Sequence, residues 1–230
     1  MLRPMPSILF QDQRFVVLDK PAGLAVHPGP RGGPSVEDWF PALSRRRDGP
    51  WLAHRLDADT AGCLVVALRK AALLEAQACF ATGRAGKTYW AVVAGGPAAE
   101  QGTVEAGLLK RSTPAGWRMV ADPAGAASRT AWRVMRRGDG WTWLELRPAT
   151  GRTHQIRVHC AFLGCPILGD PVYGAGDGPL QLLAREIHLP LMPQLRAVAP
   201  VPPHMSRIGN APAEKHQESK VGLCPNPPKA

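Results

Sequence analysis

The chain has 230 residues, 45% of them apolar, which is enough for one large domain or two small ones around a real core. Lysine and arginine number 28 against 18 acidic residues, a formal charge of +10, and this balance favours a polyanionic partner, nucleic acid first, over an acidic small molecule. Seven of those cations are lysine and 21 arginine, whose planar fork suits bidentate phosphate contacts and stacking on bases.

No apolar run reaches the ~18 residues of a membrane span, and the N-terminus has no secretory apolar core. Cys63, Cys79, Cys160, Cys165 and Cys224 are odd in number and form no C-x-x-C pair. Free thiols in a reducing compartment, hence a cytoplasmic protein, are the expectation.

In chain order, residues 8–28 read as strand, turn, strand, followed by a loop from Gly29 to Pro34. The stretch "HRLDADTAG" (54–62) lies between two apolar runs. It leads into a short strand, "CLVVAL" (63–68), and then a helix over "RKAALLEAQACFATG", with Leu73, Ala76 and Phe80 at helical spacing before Gly83. Strands follow at 87–95, 128–137 and 141–150, the last two joined by the Gly138-Asp139-Gly140 turn. "THQIRVHCAFLG" (153–164) predicts a helix with Ile156, Cys160 and Leu163 on one face and Gly164 past its end. Ser44–Pro50 and Lys110–Gly125 read as loops. Strands outnumber helices and are often hairpin-linked, which predicts an α+β fold with a mixed, largely antiparallel sheet. One domain over 1–205 is expected, with a disordered basic tail over 206–230.

The chemistry begins in "HRLDADTAG". If the segment is extended, Asp57 and Asp59 share a face about 6.6 Å apart. Three uses are open on these residues alone: a Mg²⁺ site, a glycosidase pair, or a structural turn in which Asp57 caps and Asp59 is solvated. His154, His159, Cys160 and Cys165 tempt a zinc reading, but H-x4-H overlapping C-x4-C does not close a tetrahedron readily. No metal site is expected. Arg157 falls in the first turns of its helix, three residues after His154, where an extra cation is unfavourable unless an anion sits opposite.

Four stretches together resemble the RluA-type RNA pseudouridine synthases. "HRLDADTAGCLVVA" is similar to their H-R-L-D-x-x-T-S-G-L-L-x-x-A motif. "LDKPAGLAVHP" (18–28), "KTYWAVVAG" (87–95) and "RPATGRTHQIRVHCAFLGCPILGDPVYG" (147–174) fit the same family in the same order. "LQLLAREIHLPL" and "APVPPHM" look like its closing segment. Ala61 stands where the family usually has Ser, and Cys63 where it usually has Leu. The S4-like RNA-binding module that many relatives carry in front of the catalytic domain is not expected.

The resemblance implies the pseudouridine synthase catalytic fold and cofactor-free, metal-free isomerisation of uridines in structured RNA, either rRNA or tRNA, by a monomer. It implies Asp57 as the catalytic aspartate, acting as nucleophile or as base at C2′. Arg157 is the arginine that pairs with it, since a partly buried carboxylate otherwise resists ionisation. Tyr89 is the tyrosine that stacks on the target base. Arg55 enters the space left by the flipped nucleotide, with His54, Thr60 and Arg152 as further substrate contacts. Lys20, Lys87 and Arg147 line the groove or hold structure. The rival reading is a noncatalytic RNA-binding or ribosome-assembly protein that retains the fold.

Overall fold

Eleven strands join in a single sheet in the computed structural model, which describes residues 4–29, 32–46, 48–114, 116–209 and 212. They are β1 (Ile8–Gln11), β2 (Phe15–Lys20), β3 (Trp51–Leu52), β4 (Ala61–Ala67), β5 (Gly86–Ala94), β6 (Gln101–Thr113), β7 (Gly116–Ala121), β8 (Ala126–Gly138), β9 (Trp141–Pro148), β10 (Leu182–Leu189) and β11 (Leu195–Val198). The spatial order is β1-β2-β4-β10-β5-β9-β8-β6-β7, with β3 added to β4 and β11 to β10. Only β4 and β10 run parallel; every other pair is antiparallel. The helices are α1 (Phe40–Leu43), α2 (Lys70–Ala81), α3 (Gln155–Phe162) and α4 (Pro203–Ser206). This is the α+β class with a largely antiparallel sheet that the sequence predicts, and among the described residues no helix is long and apolar enough to cross a membrane.

Alternation along the strands decides which helix covers which face. Val17, Val65, Trp90 and Val92 face α2, whose Ala72, Leu73, Ala76 and Cys79 are buried against them. Ala91, Val93, Leu144 and Leu146 point the opposite way, toward Ile156 and Cys160 of α3. Val16, Leu18, Leu64 and Val66 share that side with Leu56 and α1. Tyr89 packs against both of the latter clusters and so stands at their junction. All seven residues of β4 are buried, as expected of an interior strand covered on both faces.

The predicted helix over 153–164 begins two residues later than its periodicity suggests and ends as expected. Gly164, at φ +76°, lets its N–H reach the Ala161 carbonyl and close the last turn. Its surroundings are less simple than one apolar stripe, because Gln155, Arg157 and His159 are buried as well. His159 sits between the Ser128 and Thr130 hydroxyls at 2.8 and 2.9 Å. Gln155 donates to the Arg129 carbonyl and Thr130 Oγ1 and accepts from Thr150 Oγ1 and the Arg152 N–H. Gln155 and His159 therefore meet their partners on β8 and the β9–α3 loop.

Two segments differ from the sequence reading. Lys110–Gly125, read as a loop, contains the end of β6 and the whole of β7 in antiparallel register, Lys110 opposite Met119 and Ser112 opposite Trp117. Leu108 and Met119 bury against Val158 of α3, and the intervening charges hide this half-buried alternation. The packed chain also continues past residue 205. Met205 is fully buried, and Trp143 Nε1 donates to the Ile208 carbonyl at 3.0 Å. Residues 210, 211 and 213–230 of the expected tail lie outside the described residues.

Gly62 marks the end of the motif loop, where β4 meets β10. Its φ is +108°, and a Cβ there would lie 2.3 Å from the Ala184 carbonyl oxygen. Gly62→Ala is expected to destabilise the fold by about 2 kcal/mol or more, since a positive φ and a backbone clash add. Urea denaturation at equal protein concentration checks it.

Candidate active site

The loop from His54 to Thr60 is pinned from beneath. Lys20 is completely buried, and its ammonium donates to the carbonyls of Pro21, Leu24 and Ala58 at 3.0, 2.8 and 2.7 Å. Burial lowers its pKa to about 8, with the charges of Asp59 and Asp57 acting the other way. The Ala58 carbonyl also accepts the Gly23 N–H, and the Asp57 carbonyl accepts the Thr60 N–H. His54 Nε2 accepts the Val65 N–H at 3.0 Å, taking the place of a strand partner between β3 and β10. Burial, then the Lys87 charge, lowers the His54 pKa to about 4 and keeps it a neutral acceptor.

A turn over 57–60 replaces the extended geometry that would have paired the two carboxylates on one face. Asp59 is exposed. Asp57 is half-buried and faces α3.

Arg157 is 3% exposed. The resemblance pairs it with Asp57, but its bidentate bonds go elsewhere: Nε and Nη2 fork onto the two carboxylate oxygens of Asp170 at 2.8 and 2.7 Å. Asp170 is itself fully buried and accepts the N–H groups of Val172 and Tyr173 on Oδ1. The remaining nitrogen, Nη1, lies 3.6 Å from Asp57 Oδ2. Burial works against both charges. For Asp170, the hydrogen bond from Arg157 and the two N–H groups outweigh it and lower the pKa; for Arg157, the Asp170 bonds and the Asp170 and Asp57 charges raise it.

His154 lies at the start of α3 with Nε2 3.8 Å from the same Asp57 oxygen, and its Nδ1 is 2.9 Å from the Tyr173 hydroxyl. Tyr89 lines the same cleft. Burial, then the Asp57 and Cys63 charges, push its phenol up, so it remains protonated at neutral pH. Lys87 Nζ donates to the Thr150 carbonyl at 2.9 Å, and both residues line the cleft.

All seven residues singled out in the sequence, His54, Arg55, Asp57, Thr60, Tyr89, Arg152 and Arg157, line this one cleft of about 560 Å³. They reach it differently. Arg55 and Arg152 are exposed cations at its mouth, while Thr60 is buried and His54 turns its ring nitrogen into the sheet. Of the would-be zinc set, His159 bonds to hydroxyls of β8 and Cys160 packs in the apolar cluster beneath α3. Sequence reasoning missed Asp170, Tyr173 and Trp117. The only local signal for Asp170 was its turn-like setting, "GDPVYG", in a stretch already quoted.

Asp170→Asn keeps the shape and the acceptor for Val172 and Tyr173 but strands the Arg157 charge. A loss of about 3–5 kcal/mol is expected from urea unfolding. Acid should act through the histidines: His54 and His159, the latter also lowered to about 4 by burial, bind protons in the unfolded chain from pH 6.5 but not in the native one until about pH 4. Their stability contribution is complete above pH 6.5 and is lost as pH falls toward 4. Unfolding free energies at pH 7 and pH 5 should differ by roughly 1–2 kcal/mol per histidine, a difference reduced in His54→Asn.

Known proteins similar to this chain fall in one family. The family model for RNA pseudouridylate synthase matches residues 14–162. An uncharacterised RNA pseudouridine synthase of Zymomonas mobilis is 41% identical over 171 residues, covering 73% of this chain and 78% of that one. The ribosomal large subunit pseudouridine synthase C of Vibrio cholerae is 38% identical over 73% of this chain, which spans about half (52%) of that protein. Among solved structures, human RNA pseudouridylate synthase domain containing 4 superposes with a TM-score of 0.74 at 29% identity, covering 86% of this chain and 90% of that one. On the family model and on these relatives, the chain belongs to the RNA pseudouridylate synthase family and is an isomerase acting on RNA.

Proposed function

We propose that the protein isomerises particular uridines in structured RNA, rRNA or tRNA, with Asp57 as its catalytic residue. One observation carries the reading: Asp57 is the carboxylate of the cleft that faces both the Arg157 guanidinium and the wall bearing Tyr89. The reaction breaks the bond between ribose C1′ and base N1, turns the base, and joins C1′ to C5; the C5 proton leaves and N1 gains one. Nothing is oxidised or reduced overall, so no redox cofactor is called for. Asp57 either adds to the sugar or base or removes a proton from C2′. In both routes Arg157 Nη1 gives the carboxylate a fixed cationic neighbour.

Tyr89 offers a ring face to the uracil and, staying protonated, a hydroxyl donor rather than a base. Arg55, exposed two residues before Asp57, is placed to occupy the stack that the target nucleotide leaves. Arg152 extends the basic rim toward phosphate, while Thr60 and His54 hold the loop in shape. A monomeric, cytoplasmic enzyme fits these features.

The direct test is pseudouridine mapping of total RNA from cells with and without the gene. Sites that vanish on deletion name the target, and those sites should return with the intact protein and stay absent with Asp57→Asn, a loss of about 10²–10⁴-fold in rate. Asp59→Asn should act nearly as wild type. If no site depends on the gene, the proposed activity falls; if Asp57→Asn restores every site, the assignment of Asp57 falls.

A further inference from the structure

Among the described residues His154 is the only non-glycine with positive φ, +53°. A left-handed backbone costs a residue with a Cβ about 1–2 kcal/mol and persists where the surroundings over-determine it. Here three groups do so. The imidazole stacks on Trp117, with centroids 5.1 Å apart and planes at 28°. It meets the edge of Tyr173 at 5.7 Å and 86°. Its Nδ1 lies 2.9 Å from the Tyr173 hydroxyl, which already accepts the Met119 N–H at 3.0 Å.

That last contact bears on the tautomer. The Tyr173 oxygen accepts the Met119 N–H, and its own hydroxyl proton can be donated to Nδ1. With Nδ1 accepting, the ring proton belongs on Nε2, assigned from the network. Nε2 faces Asp57 Oδ2 at 3.8 Å, and Arg157 Nη1 approaches the same oxygen at 3.6 Å.

We propose that His154 is a positioning residue for Asp57: its Nε2–H and Arg157 Nη1 together hold Oδ2, so that Oδ1 is the oxygen presented to the ribose. The proposal rests on Asp57 being the reacting carboxylate. At 3.8 Å the contact is longer than a hydrogen bond in the free protein, and it shortens when the nucleotide fills the cleft and displaces water. Trp117 and the Met119 N–H both belong to β7, so the β6–β7 hairpin acts on the reaction through His154.

The test uses the full chain and RNA labelled at uracil C5 with tritium, taken from cells lacking the gene. Tritium release reports the new C1′–C5 bond, and filter binding of the same RNA reports affinity. His154→Gly accepts the positive φ, so melting temperature and RNA affinity should stay near wild type while single-turnover release slows by about 10²-fold. His154→Asn, which tolerates the left-handed backbone and keeps an N–H donor, should recover part of that loss. Tyr173→Phe should slow release and move the His154 ring ¹⁵N shifts away from the Nε2–H form.

Release at the wild-type rate in His154→Gly overturns the proposal, as does a loss explained wholly by weaker RNA binding or left unrelieved by His154→Asn. Should His154→Gly fail to fold, unchanged ¹⁵N shifts and rate in Tyr173→Phe overturn it instead. Asp57→Asn run alongside separates the two readings: full release there removes the role of Asp57, whereas no release there with full release in His154→Gly removes only that of His154.

Discussion

The Arg157–Asp170 pair is the constraint on which the site depends. Two buried charges gain little net stability over apolar residues of similar volume, so the pair is better understood by what it fixes in space. Two of the three guanidinium nitrogens are used up on Asp170, whose Oδ1 in turn accepts the Val172 and Tyr173 N–H groups. The arginine therefore has one direction left, and Nη1 points along it to Asp57. A lysine could not divide its charge this way, because a single ammonium has no rigid fork to lock on one carboxylate while addressing another.

The rest of α3 serves the same end. Its buried polar residues tie the helix to β8 and the β9–α3 loop through Gln155, Thr150, Thr130, Ser128 and His159, a network without an open donor at the glutamine. Apolar packing by Ile156 and Cys160 sets how far the helix stands from the sheet; the hydrogen bonds set its rotation. Rotation matters here, because the Arg157 side chain must leave the helix on the side of Asp170 and Asp57.

What could be read from the sequence was what depends on short range. Strand and helix periods located β4, α2, β5, β8, β9 and α3 to within a few residues, and the motif loop offered Asp57 and Asp59 without choosing between them. The resemblance chose Asp57 and added Arg55, Tyr89 and Arg157. The identity of the arginine's bidentate partner was not legible: two aspartates, one a hundred residues before Arg157 and one thirteen after, are equally plausible anions until the fold places both. The β6–β7 hairpin escaped because its alternation is half-buried on one side and carries Lys110, Arg111 and Arg118 within a Pro- and Gly-rich stretch. Trp117 and Tyr173 went with it, since neither has a role until β7 lies on α3.

The two carboxylates of "HRLDADTAG" show how one backbone bond decides function. In an extended chain Asp57 and Asp59 would be equivalent, side by side on one face. The Thr60 N–H bonded to the Asp57 carbonyl turns the chain, and the Lys20 ammonium under Ala58 holds that turn down. Asp59 is left in solvent near a buried cation it partly compensates, and Asp57 alone is directed at Arg157. Lys20 carries its charge in the interior at the cost of a lowered pKa, with all three of its donors spent on backbone carbonyls. A buried cation used this way selects one carboxylate of two without touching either, by fixing the residue between them.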